Sequence, residues 1–326
     1  MIVALAVGTA ASVLAAIAYW RLIHSVAPDV PALPGTCTSG AMLGSPELDG
    51  RTFTSYVPQG CPPNAPLLVV LHGSNGNAEQ IRRYTGYEFE HLAEEHKFTV
   101  VYPNGYRGYW NDIRRKGGYA AKKRDIDDVK FLRTLVEVFQ VNGAGPALCV
   151  GFSNGGQMCF RLAHDAPDTF AAIAAIAASM PTSDNSVSVP LERALSTMLV
   201  SGTDDPIVPY NGGRVTIFGF GDRGTVLSAP ATAEYFAARL GESLDHHGPT
   251  ELFRRSAEGQ TAVSVRRWRA ASRREVSLFT IEGGGHTIPQ PRYRFFRLAG
   301  RTEMRLNAPA ECWAFFQRAL SADPRT

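Results

Sequence analysis

An α/β fold, with a mostly parallel central sheet flanked by helices in a single domain, is predicted by three features of the sequence. Short apolar runs of strand length alternate with longer segments of helical periodicity. Several of these short runs are apolar throughout and end in turn residues, which is typical of parallel strands buried on both faces. The sequence contains no evident internal repeat and no linker between two cores. We therefore expect residues 36–326 to form one domain.

The first part of this domain predicts three strands and one helix. RTFTSYVP (51–58) alternates between apolar and polar residues, which predicts an early strand at the edge of the sheet. APLLVVLHG (65–73) and FTVVYPNG (98–105) are continuous apolar runs that end in turn residues, so we expect buried parallel strands. Residues 78–96, between these two runs, are predicted to form a helix.

The middle of the chain predicts a helix, a strand and a second helix. In DIDDVKFLRTLVEVFQ (125–140), the residues that fall on one helical face are Val129, Leu132, Val136 and Phe139. ALCVGF (147–152) predicts a strand, and a helix is expected from Asn154 to about Ala166.

The last part of the chain supplies the remaining elements. Strands are predicted at FAAIAAIAAS (170–179) and TMLVSG (197–202), with a helix at ATAEYFAARL (231–240). AVSVRRW (262–268) and EVSLFTIEG (275–283) are expected to form a hairpin or neighbouring strands. APAECWAFFQRAL (308–320) predicts a closing helix.

Composition excludes several classes of protein. The chain has 326 residues, enough to bury a large core, and its 44% hydrophobic and 19% charged residues are typical of a globular protein. A net charge of +3 is too small to indicate a nucleic-acid partner. Residues 251–326 hold 14 Arg and 7 acidic residues, an excess that could attract anions, but their scatter among strands and turns favours a solvated basic face.

The N-terminal segment predicts export. Residues Ile2 to Tyr19 form an uncharged apolar run, at the short end of the length that spans a bilayer. It is expected to be a signal or a membrane anchor, and whether it is cleaved stays open. Residues 1–35 are therefore not part of the predicted folded domain, and an extracellular or periplasmic location is expected.

The five cysteines agree with such a location without requiring it. Cys37 and Cys61 flank the first strands, and a disulfide between them is plausible in an exported chain but not determined by the sequence. Cys149, Cys159 and Cys312 lie in apolar segments and are expected to be buried thiols. No cysteine or histidine spacing indicates a structural metal.

A nucleophilic serine is predicted at the junction of a strand and a helix. In Gly151-Phe152-Ser153-Asn154-Gly155, Ser153 lies between two glycines, a G-x-S-x-G pattern in which the serine occupies a strained sharp turn and projects above the sheet. Larger residues at the two glycine positions would clash with the neighbouring strand and helix. The start of the following helix also directs its positive end at this point. We therefore interpret Ser153 as the nucleophile.

A base and an acid follow in the order that this architecture requires. The acid should come after a later strand and the histidine after another. GGGHTIP places His286 after a strand, where three glycines predict a loop flexible enough to bring the imidazole over Ser153. TDDPIVPY offers both Asp204 and Asp205; spacing alone does not choose between them, and Asp205 is preferred because Pro206 fixes the loop behind it.

Other residues near the strand ends are further candidates for the site. The backbone N–H groups of Ser74 and Asn154 are expected to form an oxyanion hole. His72 and Trp110 are candidates for substrate binding, but His72 suits a role in shaping its loop better than a titrating role in catalysis, and Trp110 equally suits a role in packing. The acidic cluster RDIDD (124–128) resembles a carboxylate metal site, but its position favours stabilising a helix N-terminus.

Six segments together resemble a known family. They occur in order as LHGSNGN, YPNGYRGYWND, DIDDVKFLRTLV, GFSNGGQMCFRLAHDAPDTFAAIAAIAASMP, GTDDPIVPY and GGGHTIP. This set resembles the poly(3-hydroxybutyrate) depolymerase and feruloyl esterase-like α/β-hydrolases of carbohydrate esterase family one, over roughly residues 50–320. The resemblance implies an exported serine esterase that needs no cofactor, with Ser153, Asp205 and His286 as the catalytic triad. The chain departs from the family at Ile288 and in RYRFFRLAGRTEMR (292–305), which could alter the substrate pocket.

The sequence therefore predicts a serine carboxylic-ester hydrolase that acts on a polyester oligomer or an acylated sugar, with no metal, no nucleic acid and no protein partner. One alternative is a hydrolase-like protein that binds a sugar or polyester without cleaving it. Another is a serine peptidase on the same fold. Acyl and alcohol specificity and the oligomeric state stay open.

Overall fold

The computed structural model describes residues 25–26, 32–41, 50–191, 195–241, 244–255 and 260–322. The predicted N-terminal signal or anchor, residues 2–19, lies outside the described residues. Among the helices that the structure describes, none combines the length and apolarity needed to span a membrane.

Ten strands form one sheet, and two short strands form a separate hairpin. The ten are β1 Thr36–Ala41, β2 Thr52–Val57, β3 Leu67–Leu71, β4 Thr99–Pro103, β5 Ala147–Phe152, β6 Ala172–Ile176, β7 Ser196–Gly202, β10 Asp245–Phe253, β11 Ala262–Arg269 and β12 Glu275–Glu282. The hairpin strands are β8 Gly213–Arg214 and β9 Thr225–Val226. The order in the sheet is β1-β2-β4-β3-β5-β6-β7-β12-β11-β10.

The centre of the sheet is parallel and its margins are antiparallel. Strands β4, β3, β5, β6, β7 and β12 pair in parallel, and two antiparallel strands extend the sheet on each side. The register of β5 runs from Ala147 opposite Leu67 to Gly151 opposite Leu71. The prediction of a mostly parallel sheet is confirmed. Since the carboxyl ends of parallel strands meet at one edge, the loops after β3, β5, β7 and β12 converge there.

Helices cover both faces of the sheet. They are α1 Ala78–Tyr84, α2 Glu88–His96, α3 Ala120–Lys123, α4 Asp128–Val141, α5 Asn154–Asp165, α6 Ala229–Ala237 and α7 Ala308–Leu320. One core packs α4, α5 and α6 against the sheet, and the other packs α1, α2 and α7. Both cores are built largely from the continuous apolar strands, which are buried throughout.

Several predicted elements differ from the structure. The helix predicted over 78–96 is two helices, because Gly86 and Tyr87 adopt positive φ between them. Strand β2 is not at the edge, since β1 pairs outside it. His246 and His247 lie in β10, an edge strand that is not among the predicted elements.

The helix start at RDIDD behaves as predicted. Asp127 is the N-cap of α4, and its side chain accepts a hydrogen bond from the Lys130 N–H at 2.8 Å. Asp128 accepts from Arg51 Nη2 and from the Asn111 N–H, both at 2.7 Å. The carboxylates therefore satisfy a helix terminus and a loop.

The cysteines that the structure describes are free thiols. Cys37 is exposed on β1, whereas the Cys61 sulfur lies 3.8 Å from the Lys97 carbonyl oxygen, so the disulfide left open by the sequence is not formed. Cys149 and Cys159 are buried as predicted, with their sulfur atoms 3.4 Å apart. Cys312 is buried as well.

Candidate active site

Ser153 occupies the strained turn that the sequence predicts. Its backbone has φ 54° and ψ −112°, a conformation with positive φ that is costly for a residue with a side chain. The turn is held by a hydrogen bond from the Ser153 N–H to the Ile176 carbonyl at 2.8 Å and ends in α5. The side chain therefore stands at the carboxyl edge of the sheet, on a fixed backbone.

The flanking glycines are required by close packing. A Cβ atom at Gly151 would lie 2.2 Å from the Gly155 carbonyl oxygen, and one at Gly155 would lie 2.5 Å from the Leu71 carbonyl oxygen. Both distances are far shorter than any real carbon–oxygen contact. Strand β5, helix α5 and strand β3 can approach one another only because these positions lack side chains.

Three side chains from separate strand ends form one hydrogen-bonded line. His286 Nε2 lies 2.9 Å from Ser153 Oγ, and His286 Nδ1 lies 2.7 Å from Asp205 Oδ2. Because a carboxylate only accepts, Nδ1 carries the proton and Nε2 is free to accept from the serine hydroxyl. The imidazole and the carboxylate are nearly buried, with 7% and 2% of their side chains exposed. The structure thus brings together all three residues of the predicted triad.

Asp205, and not Asp204, contacts the histidine. The Asp205 Oδ1 accepts hydrogen bonds from the N–H groups of Ile207 and Val208, both at 2.8 Å, which fixes the carboxylate behind the imidazole. Asp204 is exposed, and its side chain accepts from the Thr203 hydroxyl at 3.2 Å. The loop turns the carboxylate of Asp205 inward, and this decides between the two aspartates, which spacing alone could not.

The loop that carries His286 is fixed, which corrects the prediction of a flexible glycine loop. The His286 N–H donates to the Ala299 carbonyl at 2.6 Å, and the Gly285 N–H donates to the Arg301 carbonyl at 2.9 Å. A Cβ atom at Gly285 would lie 2.1 Å from the Ala299 carbonyl oxygen. The glycine therefore permits close approach of two segments and holds the imidazole in position.

His72 shapes its loop and does not line the site. The ring is 1% exposed; its Nδ1 donates to the Gly73 carbonyl at 2.7 Å, and its Nε2 accepts from the Gly105 N–H at 2.9 Å. Burial lowers the pKa of His72 to about 4, so the ring is neutral. The prediction that His72 binds substrate is wrong, because both nitrogens are used by the backbone.

Trp110 is also a packing residue, so its prediction as a pocket wall is wrong. The indole is fully buried against His72, with ring centroids 4.9 Å apart, and its Nε1 donates to the His72 carbonyl at 2.9 Å. Its backbone holds the residue after the nucleophile: the Trp110 N–H donates to Asn154 Oδ1 at 2.8 Å. Trp110 therefore supports the site from behind.

A second buried carboxylate holds Asn154. Asp112 is fully buried and accepts from the Asn154 side-chain amide, from the Tyr119 hydroxyl at 2.7 Å and from the Arg114 guanidinium, whose Nε lies 3.1 Å from Oδ1. Although burial opposes ionisation, Arg114 and the other donors keep the pKa of Asp112 below its ordinary value. Sequence reasoning missed this network; the available signal was the closely spaced Asp112 and Arg114 after the YW pair.

The triad opens into a cavity of about 350 Å³. Ser153, His286 and the predicted oxyanion residue Ser74 line it, and Asn154 does not, because its side chain turns toward Trp110 and Asp112. Most other lining residues are apolar; they include Phe152, Ile207, Val208, Val215 and Phe295. The tail 292–305 does contribute to the pocket, whereas Ile288 is fully buried in the core below it.

Comparison with known proteins gives matches of fold and of sequence. A family model described as the α/β hydrolase fold matches residues 66–195. NocK of Nocardia uniformis subsp. tsuyamanensis, a protein assigned as an esterase, is 28% identical over 240 residues, which cover 70% of this chain and 67% of NocK. Poly(3-hydroxyalkanoate) depolymerase C of Paucimonas lemoignei is 33% identical over 133 residues, which cover 37% of this chain and 30% of that protein.

Among solved structures, the acetyl xylan esterase from Aspergillus awamori is similar with a TM-score of 0.50 and 16% identity. The match covers 78% of this chain and 96% of that esterase. At this level of identity the likeness concerns the fold.

Proposed function

We propose that this chain, an α/β-hydrolase of the esterase type, hydrolyses carboxylic esters through an acyl-enzyme on Ser153. The fold class and the resemblance to esterases that the sequence predicted are confirmed by the matches above. The catalytic roles and the substrate are the proposal. The observation that carries it is the unbroken line from Asp205 through His286 to Ser153, which ends in the cavity.

The first half of the reaction forms the acyl-enzyme. His286 Nε2 accepts the proton of the Ser153 hydroxyl as Oγ attacks the ester carbonyl carbon. Asp205 holds the imidazole in the required tautomer and stabilises its positive charge. The tetrahedral intermediate then collapses, the ester C–O bond breaks, and the alcohol leaves with the proton from His286. In the second half a water molecule, deprotonated by His286, attacks the acyl-enzyme and releases the acid.

The oxyanion of the tetrahedral intermediate needs donors already in place. The N–H groups of Ser74 and Asn154 are the proposed pair. Ser74 lines the cavity directly after the loop that His72 holds. Asn154 is the first residue of α5, where a backbone N–H has no partner within its own helix. The network of Asp112 and Trp110 fixes the Asn154 side chain and thereby the position of this N–H.

The size and lining of the cavity favour a compact substrate. A volume of about 350 Å³ is near the lower end for ligand sites, and the apolar lining suits a short acyl chain. We propose short hydroxy-acid oligomers or acylated sugars as the substrate class. Support for the oligomers comes from the relative that is named a poly(3-hydroxyalkanoate) depolymerase, and acylated sugars are the class that the resemblance in sequence also implies.

The test is hydrolysis of 4-nitrophenyl acetate and butyrate by the wild type and by Ser153→Ala. Loss of the nucleophile is expected to lower kcat by at least about 10⁴-fold. Ser183→Ala, a change at an exposed serine, should retain wild-type activity.

Assays on the same proteins distinguish the proposed esterase from a binding protein and from a peptidase. A folded Ser153→Ala enzyme with unchanged turnover would refute the proposal. A folded wild type that neither hydrolyses an ester nor reacts with a fluorophosphonate would indicate a binding protein. Faster cleavage of 4-nitroanilides than of matched esters would indicate a peptidase.

A further inference from the structure

A cationic side chain in the cavity forms no ion pair with any acidic residue that the structure describes. Arg223 precedes β9 in the hairpin of β8 and β9, and it lines the same cavity as Ser153 and His286. Its Nη1 is buried, and no described residue accepts a hydrogen bond from it. Buried guanidinium nitrogens are normally paired, since each unpaired donor loses its hydration without replacement.

Two aromatic rings partly compensate this charge. The Arg223 guanidinium carbon lies 4.9 Å from the centre of the Tyr119 ring and 5.9 Å from that of Tyr109. These two rings are stacked on each other, 5.1 Å apart, and form a wall that orients the guanidinium. Cation–π contacts leave the N–H donors free for another acceptor.

The nearest buried carboxylate is not available to Arg223. Asp112 accepts hydrogen bonds from Arg114, Tyr119 and Asn154, so its oxygens are already occupied. Arg114 also places a second positive charge near Arg223. Burial and this repulsion lower the pKa of Arg223 from its ordinary value.

The neighbouring acid in the sequence points elsewhere. Asp222 accepts from Arg214 Nε at 3.3 Å, from Lys116 Nζ at 3.4 Å and from the Gly224 N–H at 2.9 Å. Both of these cations lie on the exposed side of the hairpin, with 70% and 60% of their side chains accessible. The charge on Asp222 therefore balances the outside of the hairpin and not the cavity.

The described part of the cavity wall carries no acidic side chain. Among the described residues that line it, none is Asp or Glu, and the charged ones are Arg114, which Asp112 neutralises, and Arg223. An anionic group that enters this largely apolar cavity would therefore meet Arg223, which forms no ion pair with a described residue, close to Ser153.

We propose that Arg223 binds a carboxylate of the substrate, so that the preferred substrate is an ester that also carries a free carboxylate. Such esters include monoesters of dicarboxylic acids and hydroxy-acid oligomers with a free acid end. A guanidinium offers two parallel N–H donors that match the two oxygens of a carboxylate. This inference rests on the proposed function, because it assumes that Ser153 attacks the ester in the same cavity.

The experiment compares charged and neutral esters of the same shape. For a carboxylate on the acyl side, the pair is 4-nitrophenyl hemiglutarate and its methyl ester; for one on the alcohol side, it is 4-acetoxybenzoate and its methyl ester. The quantity measured is the ratio of kcat/KM for the charged over the neutral member. The wild type should prefer the charged member of one pair, which identifies the side. In Arg223→Gln that ratio should fall by about 10- to 100-fold, the usual effect of removing a charged hydrogen-bond partner.

Two further variants serve as controls. Arg214→Gln removes an exposed arginine from the same hairpin and should leave the ratio at its wild-type value. Arg223→Lys keeps the charge but not the paired geometry, so it should restore part of the ratio. Thermal unfolding of each variant verifies its fold, and Arg223→Lys provides the comparison with the wild type if Arg223→Gln does not fold.

The outcomes separate this inference from the proposed function. If the wild type hydrolyses esters but prefers the neutral member of both pairs, or if the ratio does not depend on Arg223, the inference is wrong and the esterase stands. If no ester is hydrolysed, the proposed function fails, and calorimetric titration of glutarate tests Arg223 without turnover. Weaker glutarate binding to Arg223→Gln than to the wild type would support the carboxylate site, and equal binding would overturn it.

Discussion

Two regions flank Ser153, and each contains one buried histidine and one buried aspartate. On one side are His286 and Asp205, in the loops after β12 and β7. On the other are His72, after β3, and Asp112, in the long loop after β4. The residue types and their burial are alike. Their hydrogen-bond partners differ, and this difference distinguishes the residues proposed to transfer protons from the residues that hold them in place.

In the first region the two side chains contact each other and the chain of hydrogen bonds ends at a hydroxyl. His286 has a carboxylate on one nitrogen and the Ser153 hydroxyl on the other. Such an imidazole can take up a proton, because Asp205 stabilises the charge that results. A proton accepted at Nε2 can later be donated from the same atom.

In the second region both side chains are fully occupied by fixed groups. The two nitrogens of His72 are bound to backbone atoms, and its low pKa keeps it neutral. Asp112 is held by Arg114, Tyr119 and Asn154 and stays ionised. Residue type alone therefore does not identify a catalytic group; the partner on each polar atom does.

Among changes to the histidine and aspartate of each region, the largest expected effect is at Asp205. Asp205→Asn should lower kcat by about 10⁴-fold while the fold stays intact, because the amide favours the wrong tautomer of His286. Asp204→Asn is the matched control, and it should stay within about twofold of wild type, the change expected of an exposed group. Measurement of kcat for 4-nitrophenyl butyrate decides between them. Equal losses in the two variants would contradict the assignment.

The next effect concerns stability. Asp112→Asn removes the counter-charge of the buried Arg114, and the free energy of unfolding should fall by about 3–5 kcal/mol. Without the Asp112 carboxylate the Asn154 side chain should shift. The value of kcat should then fall as well, since small misplacements of catalytic groups lower the rate by about 100-fold. Urea unfolding and kcat at neutral pH are the measurements.

The control for Asp112 is a carboxylate in the same loop cluster. Asp125 is exposed and accepts one hydrogen bond from Asn111 at 3.0 Å. Asp125→Asn should change the free energy of unfolding by less than about 0.5 kcal/mol. If Asp112→Asn were as stable as this control, Asp112 would not be the support that the comparison assigns to it.

The sequence predicted the first region far better than the second. The predicted strand at 147–152 and the predicted start of α5 agree with the structure, because the continuous apolar run and the glycines around Ser153 permit one local conformation. Ser153, His286 and Asp205 each follow a strand, so strand order alone brings them to one edge. The roles of His72 and Trp110 depend on backbone partners distant in the chain, such as Gly105, which no local pattern reveals.

Other differences have the same origin. Strand β10 carries Gly248 and Pro249, and β1 is short and polar, so neither shows the pattern of a buried strand. Both lie at margins of the sheet, where pairing with a neighbour and not apolar periodicity defines the strand. Arg223 enters the cavity on a hairpin 70 residues after Ser153. Its unmatched charge is a property of the cavity and is invisible in the sequence.

The smallest expected effect is the dependence of stability on pH that His72 contributes. His72 takes up a proton near pH 6.5 in the unfolded chain but only near pH 4 in the folded protein, because burial and the nearby Arg51 disfavour its charge. Its contribution to stability is therefore complete above about pH 6.5 and is lost as the pH falls toward 4, a loss of about 3 kcal/mol. His72→Gln is neutral at every pH, so its stability should decline less steeply over this range, whatever its stability at pH 7.

Urea unfolding at pH 7, 5.5 and 4.5 measures these slopes. His246→Gln, a change at an exposed histidine on β10, should follow the wild-type slope. A wild type and a His72→Gln variant that lose stability in parallel would show that His72 does not stay neutral in the fold. His72 would then not be the neutral, fixed support that its two backbone partners indicate.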